Sequence, residues 1–277
     1  VDEYASLGPT GEIETNPDGT IKFASAAKRR TFEQKHRDLL DGETSVNVPR
    51  LTEDELKDIR SVYEQKAPDG LQLMVGFNRR FSPHAQEAGR FFASRVNPLV
   101  MLYRINAGRI PADHWVQHPD IGGGRLIGEM CHFVDYMQAL SASPPTSVYA
   151  SRIGRHSSGI TDDQCSIVVN FADGSIGTII YTAEGNSELP KERFEAHVDG
   201  KSLVMNDFIE TQTYKDGKST VFKTAKRDKG FTEEMSRFIK SVAGGQAPVI
   251  PFEQIDAVTR ACLLAARSLI SGAVYLL

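Results

Sequence analysis

Glu129, His132 and Asp135 stand three residues apart in the stretch Arg125-Leu126-Ile127-Gly128-Glu129-Met130-Cys131-His132-Phe133-Val134-Asp135. On a helix that spacing sets Glu129 beside His132 and His132 beside Asp135, each within hydrogen-bond reach. Imidazole exchanges protons near neutral pH, and a neighbouring carboxylate raises its basicity and fixes its tautomer. The candidate catalytic residues are therefore His132, as proton acceptor, with Glu129 and Asp135 to orient it. The same pattern also suits a plain helix start with a satisfied core histidine. Gly122-Gly123-Gly124 lets the backbone approach a ligand, and Arg125 with the first helical N–H groups favours an anionic or oxygen-rich one. A second cluster, Gly76-Phe77-Asn78-Arg79-Arg80-Phe81, ends a strand-like run, which is where open α/β sheets take their ligands. Asn78, Arg79 and Arg80 are placed to reach a substrate there. The loop from Arg104 to Trp115 adds Asn106, His114 and the only Trp of the chain. His114 and His118 have the i, i+4 spacing of a metal pair on a helix. No acidic third ligand is obvious and Pro111 and Pro119 flank them, so no metal is expected.

Positioning these groups requires a particular series of elements. Ile21 and Phe23 alternate within Thr20–Ser25 as a strand, Thr31 with Gln34 forms a capping box, and Ser45–Val48 is a second strand. Thr52 with Glu55 caps a helix carrying Leu56, Ile59, Val62 and Tyr63 on one face, and the apolar run Leu71–Phe77 reads as a third, buried strand. Strands alternating with helices imply a parallel sheet. From residue 78 the rhythm changes. Pro83–Arg95 and Arg125–Leu140 read as helices, and Leu99–Ala107 as a strand. Val148–Ile153, Gln164–Phe171, Ile176–Thr182, Arg193–Val198, Ser202–Asn206, Glu210–Tyr214 and Thr220–Lys223 follow as strands. Asp173-Gly174, Asp199-Gly200 and Asp216-Gly217 supply hairpin turns, so this sheet is expected to be antiparallel. Phe231, Met235, Phe238, Ile239 and Val242 have the spacing of a buried helical face, and a very apolar helix near 252–277 is expected to pack under the sheet.

The 277 residues suit about two domains, with 40% hydrophobic and 25% charged residues, as in ordinary globular chains. The formal charge is −4 and there is no long basic run, so no nucleic-acid partner is expected. Nor does any apolar stretch reach the length of about 20 residues that a spanning helix needs, so no membrane partner is expected either. Cys131, Cys165 and Cys262 are odd in number and widely spaced, which points to buried thiols in a reducing cytoplasm rather than a disulfide or zinc framework. No GxGxxG, Walker A, GxSxG or HExxH motif occurs.

Several segments, in order, resemble the glucose–fructose oxidoreductase / inositol dehydrogenase / MocA (Gfo/Idh/MocA) family. They are LTEDELKDIRSVYEQKAPDGLQLMVGFNRRF (residues 51–81), NAGRIPADHWVQHPDIGGGRLIGEMCHFVD (106–135), Arg193–Glu195 and KGFTEEMSRFIKSVAGG (229–245). The resemblance implies an α/β plus α+β fold. A partial Rossmann-like parallel sheet (1–80) would be followed by a substrate-binding C-terminal domain (81–277) with a large, mainly antiparallel open sheet and flanking helices. It implies an oxidoreductase acting on a hydroxyl of a sugar, sugar nucleotide or cyclitol with NAD or NADP. The open sheet would be the face for a homo-oligomer or a homologous partner. By this resemblance His132 takes the family's histidine position, Glu129 stands where Asp is usual, and Arg79, Asn106, Trp115 and Arg125 line the substrate side, joined by Asn78 from the strand-end cluster. Arg30, Asn47 and Pro49 are the candidate cofactor contacts. The family's Glu-Lys-Pro motif aligns with Asn47-Val48-Pro49, placing Val48 at the catalytic lysine, and the glycine-rich half of the nucleotide domain has no counterpart. Two alternatives follow from those departures. One is a non-redox lyase, epimerase or cyclase, and the other is a catalytically silent sugar-binding or assembly partner.

Overall fold

A computed structural model describes residues 53–118, 121–155, 159–160 and 162–277. By contact the chain divides into residues 1–46 and residues 47–277, and the second unit is the one described below. The strands expected at Thr20–Ser25 and Ser45–Val48, the helix opened by Thr31 and the cofactor candidates Arg30, Asn47 and Pro49 lie outside the described residues, as does Val48.

Helix α1 (Glu53–Lys66) begins with three acidic residues at its positive end and buries Leu56. It ends in a short 3-10 turn closed by Gly70, whose φ of +79° suits glycine. The run Leu71–Phe77, expected as a third parallel strand, shows no strand pairing among the described residues. Its apolar content signals burial at one end only. Phe77 is buried and its N–H turns back onto the Val75 carbonyl at 2.7 Å, whereas Leu71 remains 59% exposed. A 3-10 turn over Asn78–Phe81 then leads to α2 (Pro83–Phe92), where the Ser82 hydroxyl accepts from the Ala85 N–H and proline occupies the first turn.

The remaining strands form one nine-stranded sheet: β1 (Val100–Asn106), β2 (Pro145–Arg152), β3 (Gln164–Phe171), β4 (Ile176–Thr182), β5 (Glu192–Val198), β6 (Lys201–Asn206), β7 (Glu210–Lys215), β8 (Lys218–Lys223) and β9 (Tyr275–Leu276). Their spatial order is β8-β7-β6-β5-β1-β4-β3-β2-β9. Every pair is antiparallel except β1–β4, which runs parallel, so the sheet is mixed rather than purely antiparallel. The hairpin turns fall where the Asp-Gly pairs predict. Asp199-Gly200 and Asp216-Gly217 both have positive φ at each position, the twist that two-residue hairpins require.

One face of the sheet carries α3 (Gly124–Ser141) and α5 (Phe252–Ser271), which pack on each other, with α5 also against β2. The core joins α3 to the sheet through aromatic rings, with Tyr103 lying 4.9 Å from Phe133 and 5.3 Å from Phe194. Helix α4 (Phe231–Ala243) departs from expectation. Phe231, Met235, Ile239 and Val242 are 49–62% exposed, whereas Glu234 and Ser241 are buried. Periodicity identifies which residues share a helical face, but other contacts choose which face turns inward. Here Ser241 bonds to Gln72 and the Ala247 carbonyl, and Arg237 lies over the Phe81 ring.

Candidate active site

The turn at Asn78–Phe81, the loop after β1, the first half of α3 and Lys191 just ahead of β5 surround a cleft of about 570 Å³. Three short-range features shape its rim. The loop after β1 carries Ile110 and the largely exposed Trp115, and a 3-10 turn (Trp115–Gln117) folds it back toward α3. His114 Nδ1 accepts from the Val116 N–H within this turn instead of facing a metal. Among the described residues no three His, Cys, Asp or Glu side chains are placed to hold a metal ion. Gly122 lies so close to the backbone of Trp115 and Val116 that any side chain would collide with it. The first glycine of the triplet is thus needed for chain-to-chain packing, while Gly123 and Gly124 adopt positive φ to turn into the helix.

His132 lines this cleft, one turn along α3 from Gly128 and Glu129, which line it too. Its Nδ1 is buried without a hydrogen-bond partner, and the ring meets Phe77 edge-on at 6.2 Å. Burial, reinforced by the Arg79 guanidinium, pulls the imidazole down to about 4, so it is neutral at physiological pH.

Glu129 does not pair with His132. Its carboxylate receives the Lys191 ammonium, the Tyr181 hydroxyl at 2.5 Å and the Arg125 guanidinium at 3.1 Å. Burial alone would raise this acid, but Lys191, Tyr181 and Arg125 outweigh it and bring the group to about 2. Asp135 is farther from the cleft than its spacing suggests. It is fully buried behind the helix and held by both arms of Arg80, one at 2.9 Å. Arg80 in turn reaches Gln254 on α5 at 2.7 Å, so the pair ties α3 to its neighbours and makes no contact with His132.

Of the expected substrate residues, Asn78, Arg79, Trp115 and Arg125 line the cleft. Arg79 is clamped by Glu192 through Nε and Nη2, each at 2.9 Å, and stacks on the Phe133 ring at 4.9 Å. Arg125 braces the loop after β1 by donating to the Gly108 carbonyl at 2.7 Å. Asn106 lines an adjoining cavity of about 510 Å³ instead, and its amide holds the Asn186 and Leu189 carbonyls at 2.7 and 3.0 Å. The two cavities meet at Lys191.

Sequence reading missed Lys191, Glu192 and Lys229. Glu192 is fully buried beneath the cleft, accepting from Arg79, from the Tyr103 hydroxyl at 2.7 Å and from the Lys229 ammonium at 2.5 Å. Arg79 and Lys229 bring it to about 2 against the opposing effect of burial. Lys191 precedes β5 and Glu192 opens it, directly ahead of the recognised Arg193–Glu195, and Lys229 begins the recognised segment 229–245; those positions were the available signals.

Residues 99–204 match the family model described as GFO/IDH/MocA C-terminal domain. Residues 99–204 are thus similar to a GFO/IDH/MocA C-terminal domain. Solved structures of the same fold include a UDP-N-acetylglucosamine 3-dehydrogenase from Acidithiobacillus ferrooxidans, 17% identical with a TM-score of 0.64, covering 80% of this chain and 68% of that one. A levoglucosan dehydrogenase complexed with NADH and levoglucosan is 18% identical with a TM-score of 0.65, covering 80% and 71%. An oxidoreductase domain protein from Kribbella flavida is 18% identical with a TM-score of 0.66, over the same shares of 80% and 71%. No curated protein matches the sequence. The mixed nine-stranded sheet with flanking helices is the fold expected from the resemblance, and no described helix is long and apolar enough to cross a membrane.

Proposed function

We propose that the cleft binds a carbohydrate (a sugar, sugar nucleotide or cyclitol) and that the protein interconverts a hydroxyl and a carbonyl on it with NAD or NADP. The observation that carries this reading is a neutral imidazole, His132, set in the wall of a polar cleft beside the ion pair of Glu129 and Lys191. Neutral His132 is in the form that accepts the proton of a substrate hydroxyl. Glu129 is committed to Lys191, Tyr181 and Arg125, so its role is to fix those donors rather than to accept a proton. Asp135, with Arg80, fastens α3 to α5. Asn78, Arg79, Trp115 and Arg125 orient the substrate, and Asn106 holds the loop beside it. The nicotinamide, when bound, supplies or accepts the hydride. In this reading residues 1–80 are the nucleotide-binding-type portion, whose last residues Asn78 and Arg79 reach the cleft, and 81–277 are the substrate domain.

Val48 at the family's lysine position argues for a silent protein, but Lys191 and Lys229 bring two ammonium groups to the cleft from the substrate domain. The dehydrogenase neighbours support the redox reading over the lyase, epimerase and cyclase alternatives. Assembly through the open sheet is supported by Val100, Tyr149, Ile176, Ile180 and Val221, exposed apolar residues that share the face turned away from the helices.

The test is reduction of NAD or NADP by the full protein with a panel of sugars, sugar nucleotides and inositols. His132→Asn is expected to lower kcat by roughly 10²–10⁴-fold while leaving ligand binding in place. Sugar binding without turnover of any panel member would instead support the silent carbohydrate-binding protein.

A further inference from the structure

Charge around the cleft is unevenly distributed. Among the described lining residues Arg79, Arg125, Lys191 and Lys229 are cationic, while Glu129 is the only carboxylate. Among the described residues Glu192, just beneath, is the only further carboxylate bonded to these cations, so four described positive groups face two negative ones. Both carboxylates are already saturated by donors. Glu192 takes Arg79, Tyr103 and Lys229, and Glu129 takes Lys191, Tyr181 and Arg125. Several donors remain unspent. Arg79 commits Nε and Nη2 to Glu192 and leaves Nη1 with no bond among the described residues. Lys191 and Lys229 each spend one ammonium hydrogen on a carboxylate and keep the others. A neutral polyol leaves two excess positive charges uncompensated in a partly enclosed, partly desolvated site, whereas an anion neutralises charge there through charge-assisted bonds.

We infer that the substrate carries a negative group on or next to the reacting sugar ring, a carboxylate or a phosphate, held by Arg79, Lys191 and Lys229. This rests on the carbohydrate reading of the cleft and narrows it. Glu192 acts from below as a positioning residue: its two oxygens aim the Arg79 plane and the Lys229 ammonium at the same wall. An anion held there is seated against a preformed clamp, with little side-chain ordering left to oppose binding.

Calorimetric titration of the full protein with hexoses, the matching hexuronates, hexose phosphates and nucleotide sugars tests this inference. The best anionic ligand is expected to bind at least about tenfold more tightly than its neutral counterpart, with the difference shrinking as salt is raised. Preference for the uronates assigns a carboxylate and preference for the phosphate-bearing sugars assigns a phosphate. Lys229→Met and Lys191→Met should each cost anionic ligands roughly tenfold and neutral ones much less, because a hydrogen bond to a charged group is lost only with the former. Equal or tighter binding of the neutral sugars, or no binding by any anionic member, overturns the inference. The two readings separate cleanly. Anion-selective binding without nicotinamide turnover overturns the oxidoreductase reading alone, and turnover of neutral sugars in preference to charged ones overturns this inference alone.

Discussion

Helix α3 carries two carboxylates with opposite duties. Glu129 sits at the cleft with its side chain 19% exposed, gathering donors from β4, from the entry to β5 and from its own helix. Asp135, less than two turns further on, is 0% exposed and has one cationic partner, Arg80, which also grips α5. The contrast shows how one helix is anchored at one end so that chemistry can be displayed at the other. A carboxylate in contact with solvent and several donors stays ionised and organises a site. A carboxylate in the core with a single guanidinium partner is a structural fastening.

The contrast can be broken most sharply at Arg80. Burial already raises Asp135 to about 6 beside Arg80, so in Arg80→Met the acid takes up a proton, and the lost charge-assisted bonds are expected to cost about 1.5–3 kcal/mol of stability, measured by urea unfolding. Turnover per folded molecule should change little, and a selective loss of activity with unchanged stability would reverse the assignment of Asp135. The opposite pattern is expected at the cleft. Glu129→Gln frees Lys191 and weakens the grip on Arg125, lowering kcat/KM by about 1.5–3 kcal/mol, or roughly tenfold to a hundredfold, with a smaller effect on unfolding. Tyr181→Phe removes one hydrogen bond to the same carboxylate and should cost about 1 kcal/mol in either measurement.

The pH profile offers a subtler check. The His132 imidazole is depressed to about 4, so it is already neutral above that pH and becomes a cation unable to accept a proton only below it. The acid limb of kcat/KM should therefore fall near pH 4, and an inflection near the ordinary histidine value of about 6.5 would show that the imidazole is not held as described. Stability follows its own rule. Glu129 and Glu192, both lowered to about 2 in the fold, bind protons more readily when unfolded, so their contribution is complete above about pH 4.3 and is lost as pH falls toward 2. Glu192→Gln should flatten that acid-side loss.

Much of the framework was legible in the residue order because it rests on local chemistry. Helices α1, α2, α3 and α5 follow from caps, proline placement and apolar period, and the strand boundaries of β3 and β4 coincide with the alternating runs. The Asp-Gly pairs fix three connections because few residue types tolerate the left-handed backbone there. The cleft residues Asn78, Arg79, Trp115, Arg125, Glu129 and His132 were all visible as motif residues.

The sequence by itself determined which residues are helical neighbours, where the hairpins turn and which short motifs carry imidazole, guanidinium and carboxylate groups. Tertiary structure decided which partners those groups meet. Glu129 finds Lys191 across 62 residues and Arg79 finds Glu192 across 113, and no local spacing encodes either meeting. It also decided that the apolar face of α4 turns outward and that Leu71–Phe77 makes no strand pairing among the described residues. The reason is physical. A hydrogen bond or ion pair forms where the packing of the sheet against its helices brings charge to charge, and that packing depends on all the elements together.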